Sequence, residues 1–263
     1  MKTNELHTIN CLEFLSSIND NVFDLVIADP PYYQINGDFD FVWETLDDYL
    51  DWCKSWILEL KRTCKPTASF YLWGKIGFGK GYPLFKIVDW IEDEKLFQVK
   101  NWITQRNSRG RGTKRGYMEA REELVFMTCG EKYTWHPAYT KEISDRKDLG
   151  FDGKPRKNKY KRCSDVWVDI AEASQSSLQR FALPDGSNFP TVKALDLCER
   201  IILSSSNPGD LVYIPFAGSG SEIVSCLQHK RNFIATEISP VYVESVINPR
   251  LAVFFAENEK IPF

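Results

Sequence analysis

Residues 23–32 read FDLVIADPPY. The first six residues are nearly all apolar, which is typical of a short strand that a parallel sheet buries on both faces. Pro30 and Pro31 end this strand, because a proline lacks the backbone N–H that a central strand donates to its neighbour. The stretch therefore predicts a buried strand that runs into a rigid loop carrying Asp29 and Tyr32.

Helix and strand patterns alternate on both sides of this strand. The alternation predicts an α/β fold with a Rossmann-like, doubly wound, mostly parallel sheet. The Lys-Pro-Thr sequence at 65–67 is expected to separate a helix from a strand, and between about 130 and 190 the pattern is irregular, which indicates an insertion. Helical spacing marks 45–64, 82–96 and 192–205, and strand-like runs occupy 69–73, 98–104, 123–128 and 211–215.

A strand, a glycine loop and a helix follow one another near the C-terminus. The loop is FAGSG at 216–220, and a further strand at 232–236 runs into Glu237. Gly218 and Gly220 allow a sharp turn and a close approach to a ligand, and an acid about 20 residues further on can accept hydrogen bonds from ribose hydroxyls. The third glycine of a dinucleotide site is missing, so the unit predicts a mononucleoside-like cofactor. An ordinary tight turn is the alternative.

The loop after the first strand carries residue types suited to chemistry on an amino group. An exocyclic amino group of adenine or cytosine is a poor nucleophile, because its lone pair is delocalised into the ring. Two acceptors that hold its hydrogens, the Asp29 carboxylate and the Pro30 carbonyl, would direct the lone pair toward an incoming methyl group. Tyr32 could stack on a base flipped out of a duplex. The alternative is a plain turn.

The two motifs together resemble the β-class of S-adenosylmethionine-dependent DNA amino methyltransferases, in which Asp-Pro-Pro-Tyr precedes the glycine motif. Pro190-Thr191-Val192-Lys193 stands where that family begins its cofactor half. The resemblance implies a circularly permuted methyltransferase fold, with a catalytic half at 1–129, an inserted target-recognition segment at 130–189 and a cofactor-binding half at 190–263. It also implies S-adenosyl-L-methionine as the cofactor, without a metal ion.

The same resemblance implies roles for individual residues. The flipped base would be held by Asp29, Pro30, Pro31 and Tyr32. The cofactor would contact Asp29, the loop residues Phe216, Ala217, Gly218, Ser219 and Gly220, and Glu237 at its ribose. Its methionine end would face Thr191 and Lys193, and its adenine would face Asn10 and Cys11, where Asn10 replaces the acid that is usual in the family.

The formal net charge is only −3, but basic residues are concentrated in two stretches. Residues 106–121 contain six basic residues against one acid, and residues 141–162 contain nine against four. Both stretches lie in segments that the family devotes to DNA, although a solvated charged face is the alternative. The candidate DNA-binding residues are Arg106, Arg109, Arg111, Lys114, Arg115, Lys157 and Lys159, the first five in an expected loop.

Other features exclude several classes of protein. No apolar run approaches the roughly 20 residues of a membrane helix, so we expect a cytoplasmic protein with no membrane partner. The seven cysteines include no CxxC pair, which argues against zinc and disulfides. The glycine-rich segment at 74–81 matches a phosphate loop, but Gly81 replaces the Mg²⁺-binding Ser or Thr. We expect it to be a mobile rim beside the crevice.

These observations predict an enzyme that methylates an amino group of a base in double-stranded DNA. The resemblance implies that this group is N6 of adenine, because cytosine-N4 enzymes of the family more often begin the motif with serine, whereas this chain has Asp29. The alternatives are a cytosine-N4 methyltransferase, an amino methyltransferase acting on RNA or a protein amide, and a non-catalytic nucleic-acid-binding protein on the same fold. A cognate restriction endonuclease and a second copy of the chain are the candidate protein partners.

Overall fold

An eight-stranded sheet lies at the centre of the computed structural model, which describes residues 2–35, 38–77, 79–111, 115–144, 158–170 and 181–258, with only the backbone at 108–111. The strand order is β1-β10-β9-β2-β3-β5-β4-β8. The strands are β1 (Glu5–Thr8), β2 (Phe23–Ala28), β3 (Cys64–Gly74), β4 (Gln98–Arg111), β5 (Glu119–Thr128), β8 (Val166–Trp167), β9 (Leu211–Ile214) and β10 (Asn232–Glu237), while β6 (Tyr139–Ile143) and β7 (Tyr160–Arg162) pair separately.

The sheet is parallel from β1 to β3, and β5 is antiparallel to both β3 and β4. Strands β9 and β10 come late in the chain but lie between the early strands β1 and β2. This arrangement confirms the predicted mostly parallel sheet assembled from both ends of the chain.

Helices cover both faces of the sheet. Side chains along β2 and β3 alternate between two apolar cores: Phe70 and Leu72 face one core, and Tyr71 and Trp73 face the other. The first core is closed by α1 (Cys11–Ser16), α2 (Leu46–Thr63) and α3 (Pro83–Asp93), and the second by α4 (Leu195–Ser205), α5 (Ser221–Gln228) and the π-helical turn Val243–Ile247, which joins α6 (Pro240–Tyr242) to α7 (Asn248–Asn258). Both faces are therefore buried, as the apolar run of β2 predicts.

The structure confirms most predicted elements but moves some boundaries. The helix expected at 45–64 is α2, and Thr45 caps it through a reciprocal pair of hydrogen bonds with Asp48. The helix ends at Thr63 and a strand follows it, as predicted, but residues 65–67 belong to that strand, because β3 begins at Cys64. Pairing with β2 jumps from Cys64 to Ser69, so Pro66 is not required to donate a ladder hydrogen bond.

The prediction of a loop at 106–121 is also wrong for most of these residues. Strand β4 extends to Arg111 and β5 begins at Glu119, with Arg106 opposite Arg121. The glycine-rich, basic composition of this hairpin favours a loop, and its residues do not alternate between apolar and polar as in a typical strand. Backbone hydrogen bonds between β4 and β5 nevertheless keep it extended. Sequence patterns also missed β1, α1 and the helices after residue 240. None of the described helices is both long and apolar enough to cross a membrane.

Contacts between β2 and β9 join the two ends of the chain. The rings of Phe23 and Tyr213 stack with centroids 4.6 Å apart, and both side chains are fully buried. Beside them the Asp24 carboxylate accepts a hydrogen bond of 3.0 Å from the Leu211 N–H and lies 2.7 Å from the Lys65 ammonium. The N-terminal and C-terminal segments therefore share one core.

Truncating Phe23 should test this junction. Phe23→Ala removes a fully buried ring, and we expect it to lower the free energy of unfolding by about 3–5 kcal/mol. Urea unfolding followed by far-UV circular dichroism measures the change. The matched control is Phe255→Ala on α7, where the ring is 46% exposed; equal losses for both variants would contradict a shared core at Phe23.

Candidate active site

A cavity of about 780 Å³ opens at the carboxyl ends of β2 and β9. Adjacent parallel strands bring the loops that follow them to one edge of a sheet. The wall of the cavity contains Asp29 and Tyr32 from one loop and Gly218 and Glu237 from the other half of the chain. The volume lies within the range of roughly 300–1,000 Å³ that is usual for pockets binding small organic ligands.

Asp29 is held at the end of β2 by two contacts. Its Oδ1 accepts a hydrogen bond of 2.6 Å from the Tyr32 hydroxyl, and its Oδ2 lies 3.3 Å from Nζ of Lys193. Burial raises the pKa of Asp29, and the Lys193 ammonium opposes that rise. The carboxylate is thus oriented and charge-paired, and each of its oxygens keeps a lone pair that can accept from a further donor.

Lys193 lies between two carboxylates. Its ammonium is 2.6 Å from Oε2 of Glu122 in addition to the Asp29 contact, and it lies 4.5 Å from the centroid of the Trp73 ring. Burial by itself would lower the pKa of Lys193, but Asp29 and Glu122 outweigh it and raise the pKa above its ordinary value. The sequence prediction associated Lys193 with the methionine end of the cofactor; the structure places its ammonium beside Asp29.

The loop after β2 is fixed by its own backbone contacts. The Tyr32 N–H donates a hydrogen bond of 2.6 Å to Oδ1 of the buried Asp40, and the Tyr49 hydroxyl donates one of 3.1 Å to the Pro31 carbonyl. Two prolines and two tertiary hydrogen bonds therefore restrict the loop, which favours a preformed site.

The glycine loop adopts the backbone conformation that its composition predicts. Gly218 and Gly220 have φ of +51° and +72°, in the left-handed region. A Cβ at Gly220 would also lie 3.1 Å from Cγ2 of Ile247. Arg250 supports the loop from behind, with Nη1 donating hydrogen bonds of 2.9 Å to the Ser219 carbonyl and 2.8 Å to Oγ of Ser221.

Glu237 is positioned by this loop. The Gly218 N–H donates to Oε2 at 2.9 Å, and the Ser239 N–H donates to Oε1 at 3.0 Å. Each carboxylate oxygen retains a second lone pair that can accept a hydroxyl. Burial raises the pKa of Glu237, although these backbone donors oppose the rise. This geometry matches a nucleoside whose ribose presents two hydroxyls.

Aromatic side chains form the wall between the two motifs. The ring of Phe216 lies 5.3 Å from that of Trp56 and 5.8 Å from that of Trp52, and Trp43 also lines the cavity. Flat apolar faces of this kind can hold a nucleobase and favour a cationic sulfur nearby.

The structure brings nearly all predicted cofactor and base residues to one cavity. Asn10 lies at the cavity and caps α1, its Oδ1 accepting a hydrogen bond of 2.9 Å from the Leu12 N–H, while Cys11 is buried beside it. Thr191 is exposed at the cavity wall. Gly220 does not line the cavity but sets the turn behind it. Lining residues are Asn10, Cys11, Asp29, Pro30, Pro31, Tyr32, Thr191, Lys193, Phe216, Ala217, Gly218, Ser219 and Glu237.

Four acidic residues at the cavity were missed from the sequence: Asp40, Glu119, Glu122 and Glu222. Glu222 lies two residues after Gly220, in the first turn of the helix that follows the glycine loop, and this position was an available signal. The position of Glu122 at the cavity depends on the pairing of β5 with β4, and the local sequence pattern does not reveal this pairing. Burial and the nearby Asp29 carboxylate raise the pKa of Glu222 to about 7. Among the described residues no group of His, Cys, Asp or Glu forms a metal site.

Three of the predicted DNA-binding residues have described side chains, and all three are exposed. Arg106 and Arg115 are exposed, and the Lys159 ammonium lies 5.2 Å from the centroid of the Tyr160 ring. Arg109 and Arg111 belong to β4, with only their backbone described. Lys114 and Lys157 lie outside the described residues. The rim segment at 74–81 contributes Lys75 to the cavity, and its ammonium donates a hydrogen bond of 2.6 Å to the Arg121 carbonyl.

Comparison with known proteins identifies the family. Residues 23–248 match the N6/N4 methyltransferase family, described as DNA methylase, so the chain belongs to this family of DNA amino methyltransferases. S-adenosylmethionine is the methyl donor of the family, which confirms the predicted cofactor. The family resemblance that was inferred from the Asp-Pro-Pro-Tyr and glycine motifs is likewise confirmed.

Two curated relatives span most of the chain. It is 31% identical over 254 residues to the DNA adenine methyltransferase YhdJ of Escherichia coli K12, and the alignment covers 92% of this chain and 81% of YhdJ. It is 27% identical over 256 residues to the Type II methyltransferase M1.MboII of Moraxella bovis, which covers 92% of this chain and 95% of M1.MboII.

Solved structures share the fold. The cytosine-N4-specific PvuII DNA methyltransferase aligns with a TM-score of 0.69 and 17% identity, over 98% of this chain and 93% of its own. The M1.HpyAVI–SAM complex aligns with a TM-score of 0.59 and 19% identity, over 94% and 98%. These likenesses concern the fold alone, and they confirm the predicted methyltransferase fold.

Glu222 should make stability depend on pH. Its folded pKa of about 7 lies above its ordinary value of 4.5, so the native state binds the extra proton and loses stability as the pH rises between these values. In Glu222→Gln this loss is absent. We therefore expect the variant to gain about 3 kcal/mol relative to the unsubstituted protein between about pH 5 and pH 8.

Urea unfolding of both proteins across this pH range measures the gain. Glu131→Gln, at an exposed position, is the matched control and should show a difference that does not change with pH. A pH-independent difference for Glu222→Gln as well would contradict the raised pKa.

Proposed function

We propose that this chain transfers a methyl group from S-adenosylmethionine to the N6 amino group of adenine in double-stranded DNA. The observation that carries the proposal is the single cavity shared by the loop at Asp29–Tyr32 and the glycine loop with Glu237. One motif is suited to an amino group and the other to a nucleoside cofactor. Their shared cavity allows the amino nitrogen and the methyl group to approach each other.

Residues of the first loop would orient the target amino group. The Asp29 carboxylate and the Pro30 carbonyl accept its two hydrogens, and the nitrogen lone pair then points toward the methyl donor. The Tyr32 hydroxyl orients the Asp29 carboxylate through its own hydrogen bond, and a remaining lone pair of that carboxylate accepts from the amino group. The Lys193 ammonium beside Asp29 favours the charged form of this carboxylate against the effect of burial, and the charged form is the better acceptor.

Residues of the second half would hold the cofactor. S-adenosylmethionine supplies an electrophilic methyl group on a cationic sulfur. Glu237 accepts the ribose hydroxyls, the Gly218 backbone leaves room for the ligand, and Phe216 provides an apolar face. The aromatic side chains of Trp43, Trp52 and Phe216 give this part of the cavity an apolar wall, which disfavours water beside the reacting groups.

Adenine is the proposed base. The aspartate at position 29 favours it within the family resemblance, and the relative YhdJ is described as a DNA adenine methyltransferase. Cytosine-N4 methylation is the competing outcome, because it needs the same two acceptors. The Type II methyltransferases among the relatives support a restriction endonuclease of matching specificity as a partner; a homodimer stays a prediction.

Product analysis should identify the base. Incubation of the protein with labelled S-adenosylmethionine and unmethylated genomic DNA, followed by nucleoside analysis, should place the label in N6-methyladenine. Label in N4-methylcytosine would contradict the choice of base, and label only in RNA or protein substrates would contradict DNA as the substrate.

Replacing Asp29 should separate chemistry from cofactor binding. Asp29→Ala removes the carboxylate acceptor, and we expect methyl transfer to fall by about 100-fold or more. Binding of S-adenosylmethionine, measured by calorimetry, should change little. Asp51→Asn, at an exposed carboxylate on α2, is the control and should keep full activity; an active Asp29→Ala variant would contradict the assigned role.

Replacing Glu237 should have the opposite signature. Glu237→Gln removes the charge that accepts the ribose hydroxyls, so we expect the dissociation constant for S-adenosylmethionine to rise about tenfold or more. The control is Glu244→Gln, an exposed position in the π-helical turn after α6. Unchanged cofactor affinity in Glu237→Gln would show that this carboxylate does not bind the ribose.

A further inference from the structure

The hairpin of β4 and β5 extends past the edge of the sheet at the cavity. Strand β3 ends at Gly74, which pairs with Glu123, whereas β5 begins four residues earlier at Glu119 and β4 continues to Arg111. Gly74 is at the carboxyl end of β3, the same end at which β2 runs into Asp29. The hairpin therefore projects on the side where a substrate base must enter.

The stem of this hairpin forms one side of the cavity. Gln105 and Asn107 from β4, and Glu119 and Glu122 from β5, line it. Glu122 also holds Lys193, which contacts Asp29. A base that reaches Asp29 consequently moves along the hairpin, and the residues at the hairpin tip are adjacent to the DNA from which that base comes.

Two large apolar side chains at the tip face solvent. Tyr117 is fully exposed, and the neighbouring Met118 is 66% exposed. Single exposed apolar residues are common on protein surfaces, but adjacent ones on a projecting hairpin have no packing role in the described part of the chain. Their position suits an apolar ligand that the protein meets from outside.

The surroundings of these side chains are basic. Residues 106–121 contain six basic residues and one acid, and Arg106 and Arg115 are exposed on either arm of the hairpin. Positive charge next to exposed apolar groups is the combination that contacts phosphates while apolar side chains enter a base stack. Charge complementarity thus favours a DNA duplex as the partner of the tip.

We propose that Tyr117 and Met118 insert into the base stack at the position vacated by the target base, while Arg106 and Arg115 contact the flanking phosphates. This inference rests on the proposed function. Extruding a base costs stacking and pairing energy. The Tyr117 ring and the Met118 side chain replace the lost contacts, which stabilises the duplex with the base in the cavity.

Matched and mismatched duplexes should test the insertion. The substrates are oligonucleotides built on the sequence found methylated in genomic DNA, with the target base either paired or opposite a mismatch. In Tyr117→Ala/Met118→Ala we expect the kcat/KM for the matched duplex to fall about tenfold or more. On the mismatched duplex, where the target base is already unpaired, the deficit should be several-fold smaller.

Three controls separate insertion from a structural defect. Tyr117→Phe keeps the ring and should retain most activity. Phe255→Ala removes an exposed ring on α7 and should leave kcat/KM unchanged on both the matched and the mismatched duplex. Calorimetry should give the same affinity for S-adenosylmethionine in the double variant as in the unsubstituted protein. A 2-aminopurine at the target position should fluoresce less with the double variant, because fewer bases are flipped out.

The outcomes distinguish this inference from the proposed function. An unsubstituted protein that methylates no DNA would overturn both. An active protein whose double variant shows no deficit, or an equal deficit on matched and mismatched duplexes, would overturn the insertion alone.

Discussion

Backbone pairing between β2 and β9 determines where the functional groups of this protein lie. Leu25 pairs with Val212 and Val26 with Tyr213, across nearly the full length of the chain. At the other end of these strands the Asp24 carboxylate accepts a hydrogen bond from the Leu211 N–H. Because the strands are parallel, their carboxyl ends coincide, and the Asp29 loop and the glycine loop open into the same cavity. A different neighbour for β2 would leave two half sites.

Buried charge is concentrated at this cavity. Asp29 and Glu122 contact the ammonium of Lys193, Glu222 lies near enough to Asp29 for the two carboxylates to interact, and burial is the main cause that raises the pKa of both Asp29 and Glu222. Buried charges are unfavourable unless they are paired or hydrogen-bonded, so such an arrangement is usually retained for function. The excess of acids also favours a cationic ligand, and S-adenosylmethionine carries a positive sulfur.

Local patterns predicted the elements that carry the two motifs. The apolar run of β2, the helical spacing of α2 and the strand–glycine–helix unit at 211–229 each depend on neighbours within a few residues, and the structure confirms them. The four-residue strand β1 depends on pairing with β10, far along the chain, and the extension of β4 and β5 beyond the sheet depends on the register in which these two strands pair with each other. Their composition carries no strand period, so they were missed or were expected as loops.

The sequence by itself determined the fold class, the family and the residues expected to hold base and cofactor, because these depend on short motifs whose chemistry is local. Only the tertiary structure decided that Lys193 lies between Asp29 and Glu122, that Glu222 is buried at the cavity, and that a hairpin rather than a loop carries Tyr117. The first two depend on packing between residues far apart in the chain, and the third depends on the register of β4 and β5, which composition does not reveal.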